Sequence, residues 1–553
     1  MKRNFILPFS PIVLVACLGT SASPPTPSQG GASAGGAGPL GGGGQITSAT
    51  GGTALGQGGT SSTSGGVTSG GAALGGQAAT TGGVSAAGGQ GGVPGSGGAQ
   101  AGQIGTGGQP SGGSTSGGAS SGGSSSGGSS GGVANTGGTA GAAATGCPRA
   151  CGPTFDQFFD NKKLATIRIT TATTPPAYTP AAHCSPFSWT KSQVVYESPD
   201  GVGNVTMENV GFRWRGSRAQ PVQGFKLDLQ AVDTPTAAGK RRFADLNRIN
   251  ILSLEGDDSH MVQCLTYKMM RDSGLPAPRC NHLKVYLNGK LYGVMESVEQ
   301  VNKGYTRRHW GTNQGSLYGG SPSMGDCANG GFQDSQALLT YSGDTFSSYT
   351  KQYQLTHSTS AEAEQNLIPM LKCGDTTATP DDATFKTCIQ DWIDVNEWLR
   401  EIAAESILPT LESLIGYYRN YYLYFKQDST SAHAGRFNIW SWDVDNSFQN
   451  QHCNTSTCDV LTSVSSAYFA KPRAKLITRL TTVFRTEYCA ALNNFLTAFK
   501  STQVDDMANV LSAAMASEPN TTQAAWQTAV NAFKTHIANR TTAVQSQITT
   551  ACK

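Results

Sequence analysis

Apolar and polar positions alternate along four short stretches near the middle of the chain: ATIRITT (165–171), SQVVYES (192–198), NVTMENVGFRWRG (204–216) and GFKLDLQ (224–230). Period-two alternation between Pro- and Gly-containing breaks predicts strands. The strongest local signal is LKVYLNGKLYGVMES (283–297), where two alternating runs flank Asn288-Gly289, the pair favoured by type I′ turns. Between these strands, DDSHMVQCLTYKMMRDSG (257–274) places apolar residues at 261, 262, 265, 269 and 270 and ends on glycine, which predicts an amphipathic helix with a C-terminal stop.

Residues 319–390, rich in Gly, Ser and Asp, read as a loop-rich insertion. DVNEWLREIAAESIL (394–408) opens on an Asp-x-x-Glu cap and puts Val395, Trp398, Leu399, Ile402 and Ala403 on one face, predicting a buried helix. GYYRNYYLYF (416–425) and RFNIWSWDVD (436–445) read as an aromatic-rich hairpin, and 470–550 as three helical stretches. The succession of sheet, helix, hairpin, helix, hairpin and helices defines an α+β protein.

The first 146 residues have none of these patterns. Met1-Lys2-Arg3 precedes an apolar run at 5–16, too short to span a membrane and suited to a secretory signal. The run closes on LVAC (14–17), which resembles a lipobox and makes Cys17 the expected lipidated residue. An ordinary signal peptide cut near SAS is the alternative. From Leu18 to Gly146 there is no charged residue, only Gly, Ser, Ala, Thr and Gln with scattered others. Such a segment cannot offset its ordering entropy by burial, so 18–146 is expected to be a disordered tether with a root-mean-square span of roughly 60 Å.

Function is therefore expected in 147–553. Of the 13 cysteines, all but Cys17 fall there, an even number that suggests a disulfide framework in an exported chain. Cys373 with Cys388 and Cys453 with Cys458 are natural local pairs. No C-x2-C pair points to structural zinc. A net charge of +3 is too small to indicate nucleic acid.

The chemistry centres on NIWSWDVDNSF (438–448). On a continuing strand, Asp443 and Asp445 would share one face about 7 Å apart, and like charges that close call for a cation or a shared proton. If the two aromatic strands pair, Asn420 comes near the same end. The three oxygens would make a cup suited to Mg2+ or Mn2+ with phosphate. The alternative is that Asp443 caps the following turn and Asp445 faces water. His260 and His282 lie in or beside elements and read as packed residues, EGDDS (255–259) reads as a helix cap rather than a Ca2+ loop, and the aromatics at 417–442 read as cross-strand pairs.

GFRWRGSRAQPVQGFKLDL (211–229), VYLNGKLYGVMESVEQVNKGY (285–305), DVNEWLREIAAESIL (394–408), NYYLYF (420–425) and WSWDVDNSF (440–448) resemble, in order and spacing, the spore-coat-protein-H (CotH) kinase family over about 210–450. The resemblance implies an atypical protein-kinase-like fold, a mostly antiparallel sheet lobe plus a helical lobe, and transfer of phosphate from ATP with Mg2+ or Mn2+ to Ser or Thr of a protein substrate. It places metal ligands at Asp443, Asp445 and Asn420, a catalytic role at Asp443, and cofactor-binding residues at Arg215 and Glu299.

Two positions depart from the family pattern. Where the family has PKKxY, this chain has Pro221-Val222-Gln223-Gly224-Phe225, leaving Lys226 or Arg218 to supply charge over the phosphates. Where the family has the Asp that orients the acceptor hydroxyl, the nearest acid is Glu412. Two readings follow. One is a monomeric kinase, held to the membrane by a lipid anchor at the outer membrane or cell surface and acting on surface or secreted proteins. The other is an inactive kinase-like scaffold or adhesin. An envelope enzyme acting on glycans is a third reading, for which no separate motif is present.

Overall fold

The computed structural model of the chain describes residues 150–177, 188–216, 222–232, 240–254, 256–320, 336–448, 460 and 474–553. The expected leader with Cys17, the linker, Arg218 and the Cys453–Cys458 pairing lie outside them.

Seven strands close into a barrel: β1 (Ala165–Thr171), β2 (Thr190–Glu197), β3 (Val205–Trp214), β4 (Phe225–Asp228), β5 (Arg248–Leu252), β6 (Cys280–Leu287) and β7 (Lys290–Val298), in the order β1-β2-β3-β4-β5-β7-β6. Every pairing is antiparallel except the one that shuts the barrel, where Ala165–Ile169 of β1 runs parallel to Leu283–Leu287 of β6. Alternate residues such as Ile167, Val194, Phe212, Leu227, Ile249 and Val285 form the apolar core and are at most 1% exposed. Between β6 and β7, Asn288 and Gly289 both take positive φ (50° and 80°), as a type I′ turn demands. The Asn288 side chain also accepts the Thr171 amide at 2.9 Å, fastening the turn to the end of β1.

Helix α1 (Val262–Asp272) lies between β5 and β6 in sequence. Asp257 accepts the amides of Ser259, Met261 and Val262 at 2.8–2.9 Å and so holds the approach to the helix, although the N-cap position itself falls on Met261, beyond the EGDDS run. Helix α2 (Lys303–Trp310) follows the barrel, capped by Asn302.

A second, antiparallel sheet contains β8 (Gly315–Gly320), β9 (Tyr353–His357), β10 (Tyr421–Gln427) and β11 (Gly435–Ser441) in the order β9-β8-β10-β11. The aromatic hairpin is thus β10–β11, and Tyr422 stacks on its cross-strand partner Trp440 at 5.5 Å. The region expected to be loop is more ordered than that. Residues 336–390 contain β9, a π-to-α helical stretch ending in α3 (Ile368–Cys373), and most of α4 (Asp382–Trp392). A Thr359/Glu362 capping box and an Asp381 cap start these helices, and Leu367, Leu371, Phe385 and Ile389 bury one face of each. Polar composition hid a helical period too short to stand out. The expected Cys373–Cys388 disulfide joins α3 to α4.

Helix α5 (Val395–Ile407), capped by Asp394, runs beneath β11. Among the described residues the C-terminal region holds four helices rather than three, α6 (Lys475–Val483), α7 (Arg485–Ala498), α8 (Thr502–Met515) and α9 (Gln523–Ala551), because Phe484 leaves helical geometry between α6 and α7. Fully buried Arg540 of α9 donates to the carbonyls of Ser406 and Ile407 at 2.7 and 3.0 Å, satisfying the C-terminus of α5. Disulfides Cys264–Cys280 (α1 to β6) and Cys489–Cys552 (α7 to the residue after α9) complete those among the described residues. Each closed loop is worth about 3 kcal/mol or somewhat more in the chain-entropy account. Among the described residues no helix is long and apolar enough to cross a membrane. The observed class is α+β, with the first sheet closed into a barrel.

Candidate functional site

The strand carrying the paired aspartates ends sooner than the alternation suggests. The last ladder bond is from the Trp442 amide to the Asn420 carbonyl at 2.7 Å, and the chain then turns. Asp443 adopts a left-handed backbone (φ 55°, ψ 54°) and Asp445 lies in the 3-10 turn Val444–Asn446. The two carboxylates therefore do not share a strand face. Asp is among the few residues that enter this region readily, which is why the strand breaks here. Asp443 stands at the N-cap position but makes no side-chain cap bond, so its carboxylate is left for other partners. Asn420, at the entry to β10, is also left-handed (φ 56°) and is fastened beside this turn by the Trp442 bond.

The Asp443 amide donates to the Tyr267 hydroxyl of α1 at 3.0 Å. Tyr267 is fully buried, and burial followed by the Asp443 charge raises its pKa well above the usual phenol range. Both aspartates keep part of their surface open yet sit deep enough to lose hydration. Burial raises Asp443, partly opposed by Arg215 and Arg419. Burial raises Asp445 well above the carboxylate range, and the charges of Asp443, Glu412 and Glu296 push it further. Asn446 donates to Asp445 at 2.9 Å. Two crowded, dehydrated carboxylates are what a hard divalent cation relieves, so the donor set fits Mg2+ or Mn2+.

The second half of the site is cationic and lies on the outward face of the barrel. Arg213 of β3 is paired across from Lys226 of β4, and Arg215 follows two residues on along the same face. Lys226 donates to Gln300 at 3.1 Å. Burial, then the charges of Arg215, Arg213 and Arg248, hold Lys226 well below the usual lysine range, with Asp228 opposing. Asp228 is itself taken by Arg248 at 2.6 Å. Arg213 is pushed down to about 10 by burial and by Arg215. Arg215 Nη1 is buried without a hydrogen-bond partner among the described residues. Arg215 connects this face electrostatically to Asp443.

Glu412 sits in the segment between α5 and β10, with Arg419 Nη2 at 2.8 Å from one oxygen and the Asn420 amide at 3.5 Å from the other. Asp443, Asp445, Asn420, Glu412 and Arg215 are thus brought into one neighbourhood, with Lys226 coupled to it through Arg215. Glu299 is engaged elsewhere. Fully buried, it accepts from Arg308 Nε at 2.8 Å and from the Arg279 amide at 3.1 Å, with His309 at 3.6 Å. The glutamate of β7 whose charge reaches Asp445 and Tyr267 is instead Glu296, itself held by the Cys264 amide at 3.1 Å with His282 at 3.6 Å. His260 and His282 are buried and bond to backbone carbonyls, as packed histidines do.

Sequence reasoning did not single out Tyr267, Arg419, Glu296 or Arg213. Arg419 adjoins Asn420 and Glu296 lies in GVMES, so both were within reach of the motif. Tyr267 carried no signal beyond its place on an apolar helix face. Among the described residues, one group of three metal-capable side chains comes within 4.8 Å: Cys264, Cys280 and Glu296. Its cysteines are spent on a disulfide.

A barrel face bearing Arg213, Arg215 and Lys226 thus lies beside a turn that brings together two carboxylates and an asparagine. Residues 211–544, more than half of the chain, match the family described as CotH kinase protein, and the chain belongs to that family. A search of the curated proteins found no match.

Proposed function

We propose that the chain is a protein kinase with an atypical kinase-like fold, transferring the γ-phosphoryl group of ATP to Ser or Thr of surface or secreted proteins. The observation that carries this reading is the placement of Arg215, on the barrel face that also carries Arg213 and Lys226, close enough to Asp443 for its charge to act on that carboxyl. Phosphoryl transfer asks mostly for positioning and charge neutralisation, and these are what the two halves offer.

Asp443, Asp445 and Asn420 would hold Mg2+ or Mn2+, which when bound neutralises charge on the phosphates. Arg215 and Lys226 bind phosphate oxygens in place of the family's PKK lysines. Burial and the neighbouring arginines hold the Lys226 ammonium well below the usual lysine range, and an anion beside it shifts that balance back toward the charged form. Glu412 orients the acceptor hydroxyl, with Arg419 fixing one of its oxygens. Glu299 serves the fold of the α2 region through Arg308 and His309.

The leader ending in LVAC and the uncharged stretch 18–146 support export, lipidation at Cys17 and a tether that lets a monomeric domain 147–553 stand off an outer membrane or cell surface. The second reading, an inactive scaffold or adhesin, is favoured by the loss of the PKK lysines and by Glu in place of Asp at 412. Calorimetric titration of the full chain with ATP, with and without Mg2+, separates the two. Binding that requires the metal supports the kinase, and no binding under either condition leaves the scaffold.

A further inference from the structure

Three glutamates of α5, Glu397, Glu401 and Glu405, stand four residues apart on the face turned to β11, and all are buried (7%, 1% and 0% exposed). Glu397 accepts the Ile439 amide at 2.9 Å. The other two meet at one atom. Ser441 Oγ, at the end of β11, is in hydrogen-bond contact with Glu401 Oε1 and also with Glu405 Oε1 at 2.6 Å.

A serine hydroxyl has one proton and can donate it to one carboxylate. The second contact then needs a proton of its own, and a carboxylic acid supplies it. Glu405 also accepts the amides of Leu414 at 3.2 Å and Ile415 at 3.0 Å, partners that suit an anion. Glu401 Oε2 is buried with no hydrogen-bond partner among the described residues, and the Ser441 amide is the backbone donor that acts on this carboxyl. A carboxylate oxygen in that position is costly, whereas the carbonyl oxygen of a neutral acid is much less so. Hydrogen-bond counting therefore puts the extra proton on Glu401, which donates to Ser441, which donates to Glu405.

The groups facing this chain are Glu397 on the same helix, Tyr305 of α2, which feels Glu401, and Tyr421 of β10, which feels Glu405. Among the described residues neither Glu401 nor Glu405 is ion-paired with a lysine, arginine or histidine. Burial raises both carboxyls, Glu401 well above its usual range, in keeping with the count.

The location gives the arrangement a use. Ser441 lies two residues before Asp443, and Leu414 and Ile415 follow Glu412 in the segment that leads to Asn420. The Glu405 carboxylate thus joins the two pieces of chain that carry the site. We propose that Glu401, Ser441 and Glu405 form a one-proton brace, acid to hydroxyl to carboxylate, whose members are positioning residues that fix the Glu412 segment against the Asp443 turn. Its effect on turnover rests on the kinase reading, while the brace itself does not.

The test compares Glu401→Gln with Glu405→Gln in the full chain, by thermal denaturation and by steady-state phosphoryl transfer. A glutamine at 401 keeps a neutral donor toward Ser441, so its melting midpoint and turnover stay near wild type. A glutamine at 405 aims an N–H group at donors and removes the anion shared by two amides. Its midpoint falls and kcat drops by about tenfold or more with KM for ATP little changed, since misplacement of reacting groups is costly. Equal damage from the two variants, or damage from Glu401→Gln alone, overturns the brace. A lower midpoint for Glu405→Gln with unchanged kcat overturns the positioning role. If the wild type transfers no phosphate, the kinase reading and the positioning role fall together, and the midpoint asymmetry still decides the brace.

Discussion

Replacing Tyr267 with phenylalanine removes one oxygen from the interior and leaves the ring in place. That oxygen accepts the Asp443 amide at 3.0 Å from a residue of no measurable exposure. The ring volume is kept, so no sizeable cavity opens and the cost is that of orphaning a buried amide, about 1–3 kcal/mol. Asp443 is already in the left-handed region, which most residues avoid, and the bond to Tyr267 helps hold it there. If the turn relaxes to recover a partner for its amide, the penalty appears in the competence of the carboxylates. Affinity for Mg2+ with ATP then falls by about 5- to 150-fold, the equivalent of that free energy. Urea denaturation and calorimetric titration of the full chain give the two parts separately. Unchanged affinity together with unchanged stability would refute the view that α1 sets the geometry of the Asp443 turn.

Three further outcomes follow from the same region of the fold. Glu299→Ala leaves Arg308 and His309 facing a buried gap, so denaturation should show a loss of about 3 kcal/mol or more while the folded fraction keeps its nucleotide affinity; intact stability with lost nucleotide binding would return Glu299 to a cofactor role. Because burial raises the Asp443 carboxyl and raises that of Asp445 further, metal must compete with protons there, so metal affinity should increase as pH rises through the raised carboxyl range, with proton release. Lys226 is shifted the opposite way, so nucleotide phosphate should draw a proton onto it; calorimetry in buffers of different ionisation enthalpy checks both signs, and pH-independent metal binding would contradict the first.

The strands were legible because their alternation is strict and Asn288-Gly289 marks the hairpin between β6 and β7. The closure of the barrel was not, since it depends on pairing β1 with β6 across more than a hundred residues, and period two says nothing about partners. In 336–390 the helices were hidden by a polar composition with short apolar stretches. At the site, the motif residues Asp443, Asp445, Asn420 and Glu412 converge, but the strand assumed beneath the aspartates gives way to a left-handed turn. Alternation alone carries no signal for that break. Glu299 and Glu296 show another limit: both are glutamates of one motif, three residues apart, and only tertiary contacts tell which one is taken up by Arg308 and which one reaches Asp445. The brace on α5 left a trace in the sequence as Glu397, Glu401 and Glu405, four apart on a face that also carries apolar residues. A buried row of acids looks like a polar helix face until its partners are known.

The central claim is that the Asp443 turn and the Arg215–Lys226 face act together on ATP. The most direct test is transfer of labelled γ-phosphate to a serine-containing protein by the full chain with Mg2+ or Mn2+, wild type beside Asp443→Asn, which removes the charge and keeps the shape. Metal-dependent incorporation by the wild type that is lost in the variant is the expected result. Incorporation that survives in Asp443→Asn, or its absence from the wild type with either metal, would contradict the account.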